Sequence, residues 1–154
     1  MKDAEYLRTS GIDIAVAERF LNIYKSKKLV VKFGGEIIDD DSAFNNLVRC
    51  TRFLYDNGVL PVFVHGGGKA IDREMKSAMI ETKKVDGERH TGEKELVIID
   101  SVLKNVNEYI VTSLRGEGNH YDVRGLHNVI FAEKMTNKPL GFVGYPYSVQ
   151  ENVF

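Results

Sequence analysis

Two stretches decide the fold: Leu29-Val30-Val31-Lys32-Phe33-Gly34-Gly35 and Leu60-Pro61-Val62-Phe63-Val64-His65-Gly66-Gly67-Gly68. Each is a short run of β-branched and apolar residues that stops abruptly at glycine, which reads as a buried strand followed by a tight loop. Pro61 is tolerated because it falls near the start of its strand. Between the two runs, Asp40 to Ser42 offer N-caps for a helix. Its apolar positions are Phe44, Leu47, Val48, Thr51, Leu54 and Tyr55, and Asn57-Gly58 stops it. A further helix follows the triple glycine, with Ile71, Met75, Ala78 and Met79 on one face. Strand, helix, strand, helix in alternation predicts an α/β sandwich with a mainly parallel sheet. Both glycine clusters then fall at the carboxyl ends of strands, where open α/β sheets bind ligands.

Outward from this centre, residues 13–24 (DIAVAERFLNIY) predict an amphipathic helix with Ile14, Ala17, Phe20, Leu21 and Tyr24 on one face. Residues 83–92 (KKVDGERHTG) read as a polar loop. Leu96, Ile99, Leu103, Val106, Ile110 and Leu114 step by three and four through a long helix, which Gly116 and Gly118 should end. A strand is expected near Val129 to Ala132, and the Gly/Tyr/Pro content of Gly141 to Val149 suggests a hairpin or a sheet edge.

The chain has 154 residues and a formal net charge of −1, which predicts one domain and gives no electrostatic footprint for nucleic acid or an anionic membrane. With 43% hydrophobic residues the chain can build a core, so disorder is excluded. The single cysteine, Cys50, excludes a disulfide scaffold and reads as a core thiol. The first ten residues lack the apolar stretch of a secretory signal, and no apolar run approaches the ~20 residues of a membrane span. A cytoplasmic location is expected, with an organelle matrix as the other option.

The glycine loops fail the spacing of a P-loop and of a dinucleotide fingerprint: Phe63 precedes Lys69 where a P-loop has glycine, and Ile71 and Glu36 stand where the fingerprint needs glycine. No serine sits in a G-x-S-x-G elbow to use His65-Gly66-Gly67-Gly68 as an oxyanion loop. The histidines at 65, 90, 120 and 127 show no metal spacing, and no metal ligand set is expected. What remains is a pair of strand-to-helix glycine loops, one with Lys32 two residues ahead. Glycines let backbone N–H groups crowd onto an anion, and a nearby lysine adds full charge, so the pair suits phosphate. The competing reading is that the glycines only turn tight corners and Lys32 is a surface residue.

Val31-Lys32-Phe33-Gly34-Gly35, Val64-His65-Gly66-Gly67-Gly68 and Val85-Asp86-Gly87-Glu88-Arg89-His90-Thr91 resemble, in order, signatures of the amino-acid kinase family. Val102-Leu103-Lys104-Asn105-Val106-Asn107 and Gly141-Phe142-Val143-Gly144 extend the likeness, which runs over about residues 29–150 and is nearest the acetylglutamate kinases. The resemblance implies a three-layer αβα sandwich with a mainly parallel central sheet. It implies ATP-dependent phosphorylation of the side-chain carboxylate of N-acetyl-L-glutamate, with Mg²⁺ accompanying the nucleotide, in arginine biosynthesis. Lys32 would be catalytic, Lys32, Gly34 and Gly35 would hold phosphate, and Gly66, Gly67, Gly68 and Arg89 would bind the acceptor, Arg89 as a clamp for its α-carboxylate.

The family's domain is roughly twice as long, so the likeness implies a truncated fold: a helical extension over residues 1–28, then the acceptor-binding part of a kinase domain over 29–154. The nucleotide half would be missing, with a C-terminal half as the partner that this implies, and this chain alone would not turn over ATP. Homo-oligomers are expected. The 13–24 helix would either interlock dimers, as in arginine-inhibited relatives, or pack on its own domain. Two acids depart from the pattern: Glu36 would repel phosphate unless it faces away, and Glu88 would weaken the hold on an acidic acceptor. The alternatives to a kinase are a non-catalytic amino-acid-binding or arginine-sensing module, and an incomplete fold that associates through an exposed sheet edge.

Overall fold

The computed structural model describes residues 4–116 and 120–153. Those residues form two compact units, one from Met1–Gly66 and Thr112–Val123, the other from Gly67–Val111 and Arg124–Phe154. The division falls inside the triple glycine. The fold is α/β, as expected.

The first unit opens with α1 (Ala4–Thr9) and α2 (Ile14–Tyr24), whose N-cap Asp13 accepts a hydrogen bond from the Val16 N–H at 2.9 Å. Strand β1 (Lys28–Phe33) pairs in parallel with β2 (Leu60–His65), in the register Val31 to Phe63 and Phe33 to His65. Parallel neighbours need a crossover. Here it is a short helix, α3 (Gly35–Asp39), followed by α4 (Asp41–Asp56). Asp40 caps α4 by accepting from the Ala43 N–H at 2.9 Å, and Gly58, at φ +83°, turns the chain out of it. Tyr6, Leu7, Ala17 and Phe53 form the core of this unit, with Cys50 packed against them as a half-buried thiol. The α2 helix therefore packs on its own unit. Together with its neighbours α2 also lines an open apolar pocket of about 250 Å³, bordered by Leu7, Val16, Phe20, Leu21 and Phe53 among others.

In the second unit, α5 (Gly68–Ser77) and the greater part of α6 (Glu93–Arg115) bury Ile71, Met75 and Val102 together. Strands β3 (Lys84–Val85) and β4 (Glu88–Arg89) form a small antiparallel hairpin, and β5 (Ile130–Lys134) pairs antiparallel with β6 (Gly144–Val149). The Gly141–Val149 segment is thus the hairpin arm expected of it. Ahead of it, Thr91 and Gly141 form a parallel bridge: the Thr91 N–H donates to the Leu140 carbonyl at 2.9 Å and the Phe142 N–H to the Thr91 carbonyl at 2.7 Å.

Several expectations change. The first strand is not buried on both faces: Leu29, Val31 and Phe33 turn inward while Val30 is 66% exposed, the alternation of a one-sided strand. Residues 83–92 are not an open loop, because Asp86 and Gly87 both take positive φ (51° and 81°), the geometry of a two-residue hairpin turn. Met79 lies beyond the end of α5 in a left-handed conformation and is 94% exposed, and Ala78 is exposed too. Ile80 packs in their place. Leu96, in the first turn of α6, is also exposed, and Val102 is buried instead. Gly116 ends α6 at φ +68°, with the guanidinium of Arg52 donating to the carbonyls of Ser113 and Leu114. Gly118 lies outside the described residues.

Gly141 carries φ +73°, and a Cβ there would run into the Thr91 carbonyl. Gly141→Ala should therefore destabilise the protein by about 2 kcal/mol or more, read as a lowered midpoint in urea unfolding.

Candidate functional site

The register of β1 on β2 brings Gly66 beside Gly34 and Gly35 within the first unit. Phe33 and His65 end their strands opposite each other, and the Gly66 N–H donates to the Phe33 carbonyl at 3.0 Å. A Cβ on Gly66 would stand 3.8 Å from both the Gly34 Cα and the Gly35 nitrogen, so these backbones lie side by side. Lys32 sits on the exposed face of β1 beside Val64 and has no ion pair with any described residue. Lys32 on the strand leading in, and the adjoining backbones of Gly34, Gly35 and Gly66, are the groups here that could hold an anion of phosphate size. Nδ1 of His65 lies 3.2 Å from the Gly66 carbonyl, a contact within the turn itself.

Glu36 does not face away from this place. One of its carboxylate oxygens would be 2.6 Å from a Cβ on Gly34, so the acid folds back over the first glycine. A phosphate held at Gly34 would be repelled by that carboxylate.

Gly67, Gly68 and Arg89 belong to the second unit. The two glycines differ sharply. Gly67 is buried, and a Cβ on it would come 2.8 Å from Leu103 Cδ2, so any larger residue there must push the Leu103 side chain aside. Gly68 is exposed, and nothing lies within 4 Å of a Cβ built on it.

Arg89 stands on β4 immediately after the Asp86-Gly87 turn. Its side chain is 19% exposed; Nη1 donates to the Thr82 hydroxyl at 3.2 Å, and Nη2 pairs with the carboxylate of Asp72 on α5. Glu88, the neighbouring acid, is taken by Lys138 at 2.7 Å, and that hydrogen bond raises the Lys138 pKa above the usual lysine value. The acid expected to weaken the hold on an acidic acceptor is thus paired with Lys138. Thr82, Asp72 and Lys138 were not legible as site residues, since they come from three separate segments with no common spacing.

Residues 27–137 match the profile of the Amino acid kinase family. The chain belongs to this family. Acetylglutamate kinase from Chelativorans sp. (strain BNC1) is 31% identical over 157 residues, covering 91% of this chain and 52% of that protein. Among solved structures, N-acetylglutamate synthase from Neisseria gonorrhoeae, complexed with coenzyme A and N-acetyl-glutamate, aligns with a TM-score of 0.71 at 16% identity over 92% of this chain and 34% of that one, a likeness of fold alone. The structure of smu.665 from Streptococcus mutans UA159 aligns with a TM-score of 0.64 at 27% identity, over 82% of this chain and 52% of that one. This amino acid kinase family member spans about half the length of the acetylglutamate kinases it matches.

Two outcomes are expected. Gly67→Ala should cost about 1–3 kcal/mol in urea unfolding through overpacking against Leu103, whereas Gly68→Ala should be neutral or stabilise by up to about 1 kcal/mol. Glu36→Gln should tighten binding of inorganic pyrophosphate by roughly twofold to fivefold in a calorimetric titration, the scale of one exposed charge interaction.

Proposed function

We propose that this chain carries the phosphate-holding and acceptor-holding parts of a kinase that transfers the γ-phosphoryl group of ATP to the side-chain carboxylate of N-acetyl-L-glutamate. The observation that carries this reading is the adjacency of Gly66 to Gly34 and Gly35 at the ends of paired strands, with Lys32 on the strand leading in. In such a transfer the bond from the γ-phosphorus to the ADP oxygen breaks as a carboxylate oxygen bonds to phosphorus, giving an acyl phosphate and ADP. The protein's work is positioning and charge stabilisation.

In this reading Lys32 is the catalytic cation. Its ammonium balances the negative charge that moves to the leaving oxygens. Gly34 and Gly35 leave room for phosphate oxygens to approach the backbone, and Gly66 does the same from the adjoining loop. Gly67 and Gly68 belong to the acceptor-binding segment, Gly67 by letting α5 approach Leu103. Arg89 clamps the acceptor's α-carboxylate, for which a planar fork is suited. Mg²⁺ would arrive with ATP, on its phosphates, as hydrated Mg²⁺ commonly does. The same reading takes residues 1–28 as a helical extension and residues 29–154 as the acceptor-binding part of the kinase domain. Homo-oligomers and a cytoplasmic location belong to the same reading, and no helix of the described residues is long and apolar enough to cross a membrane.

Isothermal titration of the purified chain with N-acetyl-L-glutamate tests the proposal. Saturable binding that falls at least tenfold in Arg89→Ala is expected. Binding of L-arginine in place of N-acetyl-L-glutamate would move the reading to a sensing module, and binding of neither would contradict the acceptor role.

A further inference from the structure

We propose that Asp72 is a displaceable counter-ion that masks Arg89 from other carboxylates. The inference rests on the reading of Arg89 as the acceptor clamp and adds a residue that tunes it. Arg89 is a permanent cation held mostly out of water, with 19% of its side chain exposed, so the fold must give it partners. It has two. Thr82 takes Nη1 through a neutral hydroxyl, and Asp72 takes Nη2 through a full negative charge.

The two acids nearest Arg89 in sequence do not compete for it. Lys138 holds Glu88 at 2.7 Å and stands 4.0 Å from Asp86. Among the described residues Asp72 is therefore the carboxylate paired with this guanidinium.

The asymmetry of exposure gives the pair its function. The Asp72 side chain is 53% exposed on α5, so it can swing into water with little loss of hydration. Arg89 is held on its hairpin by Thr82 and by burial, and stays. An arriving carboxylate takes Nη2 as Asp72 leaves, while Thr82 keeps the guanidinium in place. An acidic ligand must thus outcompete an internal acid, which lowers its apparent affinity and makes Arg89 selective for ligands that bring further contacts of their own. A neutral ligand feels no such competition.

Asp72→Asn isolates the charge, because asparagine keeps an acceptor oxygen for Nη2 while losing the anion. Arg89 reactivity toward phenylglyoxal, followed by peptide mass spectrometry on the full chain, reads the mask without any ligand. The expected result is modification of Arg89 several times faster in Asp72→Asn than in the unaltered chain, a slow rate restored in Asp72→Glu, and unchanged rates at Arg52 and Arg124. N-acetyl-L-glutamate should protect Arg89 and should bind Asp72→Asn about threefold to fivefold more tightly. Equal Arg89 rates in the unaltered chain and Asp72→Asn would overturn the proposal. So would weaker ligand binding by Asp72→Asn, which would make Asp72 a support for Arg89 and not a mask. Faster modification in Asp72→Asn with no protection by N-acetyl-L-glutamate in any form would sustain the mask and instead retire the acceptor reading of Arg89.

Discussion

The parallel pairing of β1 with β2 is the constraint on which the glycine loops depend. Two parallel strands put their carboxyl ends at the same edge, so whatever follows each strand emerges beside whatever follows the other. With Phe33 opposite His65, the residues that follow are Gly34-Gly35 and Gly66, and the Gly66 N–H closes the pair on the Phe33 carbonyl. A slip of one residue would turn Lys32 to the inner face with Leu29, Val31 and Phe33 displaced outward. The one-sided burial of β1 is therefore what keeps the lysine available. The crossover has its own requirements: a cap at Asp40, a left-handed exit at Gly58, and a helix long enough to return to the start of β2.

A second theme is how this chain treats its anion-seeking positions. Glu36 folds over Gly34 and Asp72 pairs with Arg89, while Glu95, the third residue of α6, folds back toward Gly92 as an acid at that position of a helix start often does. Each interaction is partly exposed to water, so each is worth at most about 1 kcal/mol. That scale is small beside the charge of a phosphate or a dicarboxylate. The acids therefore tune the sites without closing them, and they favour ligands with several anionic or hydrogen-bonding groups over single ions.

Much of the fold was legible because it rests on patterns that single residues cannot blur. The strand runs ending at glycine, the cap of α4 and the stepping of α6 from Ile99 onward all appear where the pattern put them. What escaped has identifiable causes. The α3 helix is only five residues and carries no periodic signal. The β3–β4 hairpin was announced by Val85-Asp86-Gly87-Glu88, yet its strands are two residues each, too short to alternate. Met79 fits an apolar helix face in one dimension, but the helix had already ended. The candidate site was half legible. Lys32, the glycines and Arg89 stand out by motif, while Asp72 and Thr82 meet Arg89 only through tertiary packing. Glycine itself was the least informative letter: at Gly67 it answers to Leu103, at Gly141 to positive φ and the Thr91 carbonyl, and at Gly68 to neither.

The adjacency of the glycine loops is the claim from which the functional reading follows, and residue-resolved NMR tests it most directly. Inorganic pyrophosphate would be titrated into the ¹⁵N-labelled chain while the backbone amide signals of Gly34, Gly35 and Gly66 are followed. The account predicts that all three move together along one saturable curve, and that Lys32→Met abolishes the movement. Shifts confined to other surface lysines, or a Gly66 signal that stays still while Gly34 and Gly35 move, would contradict it.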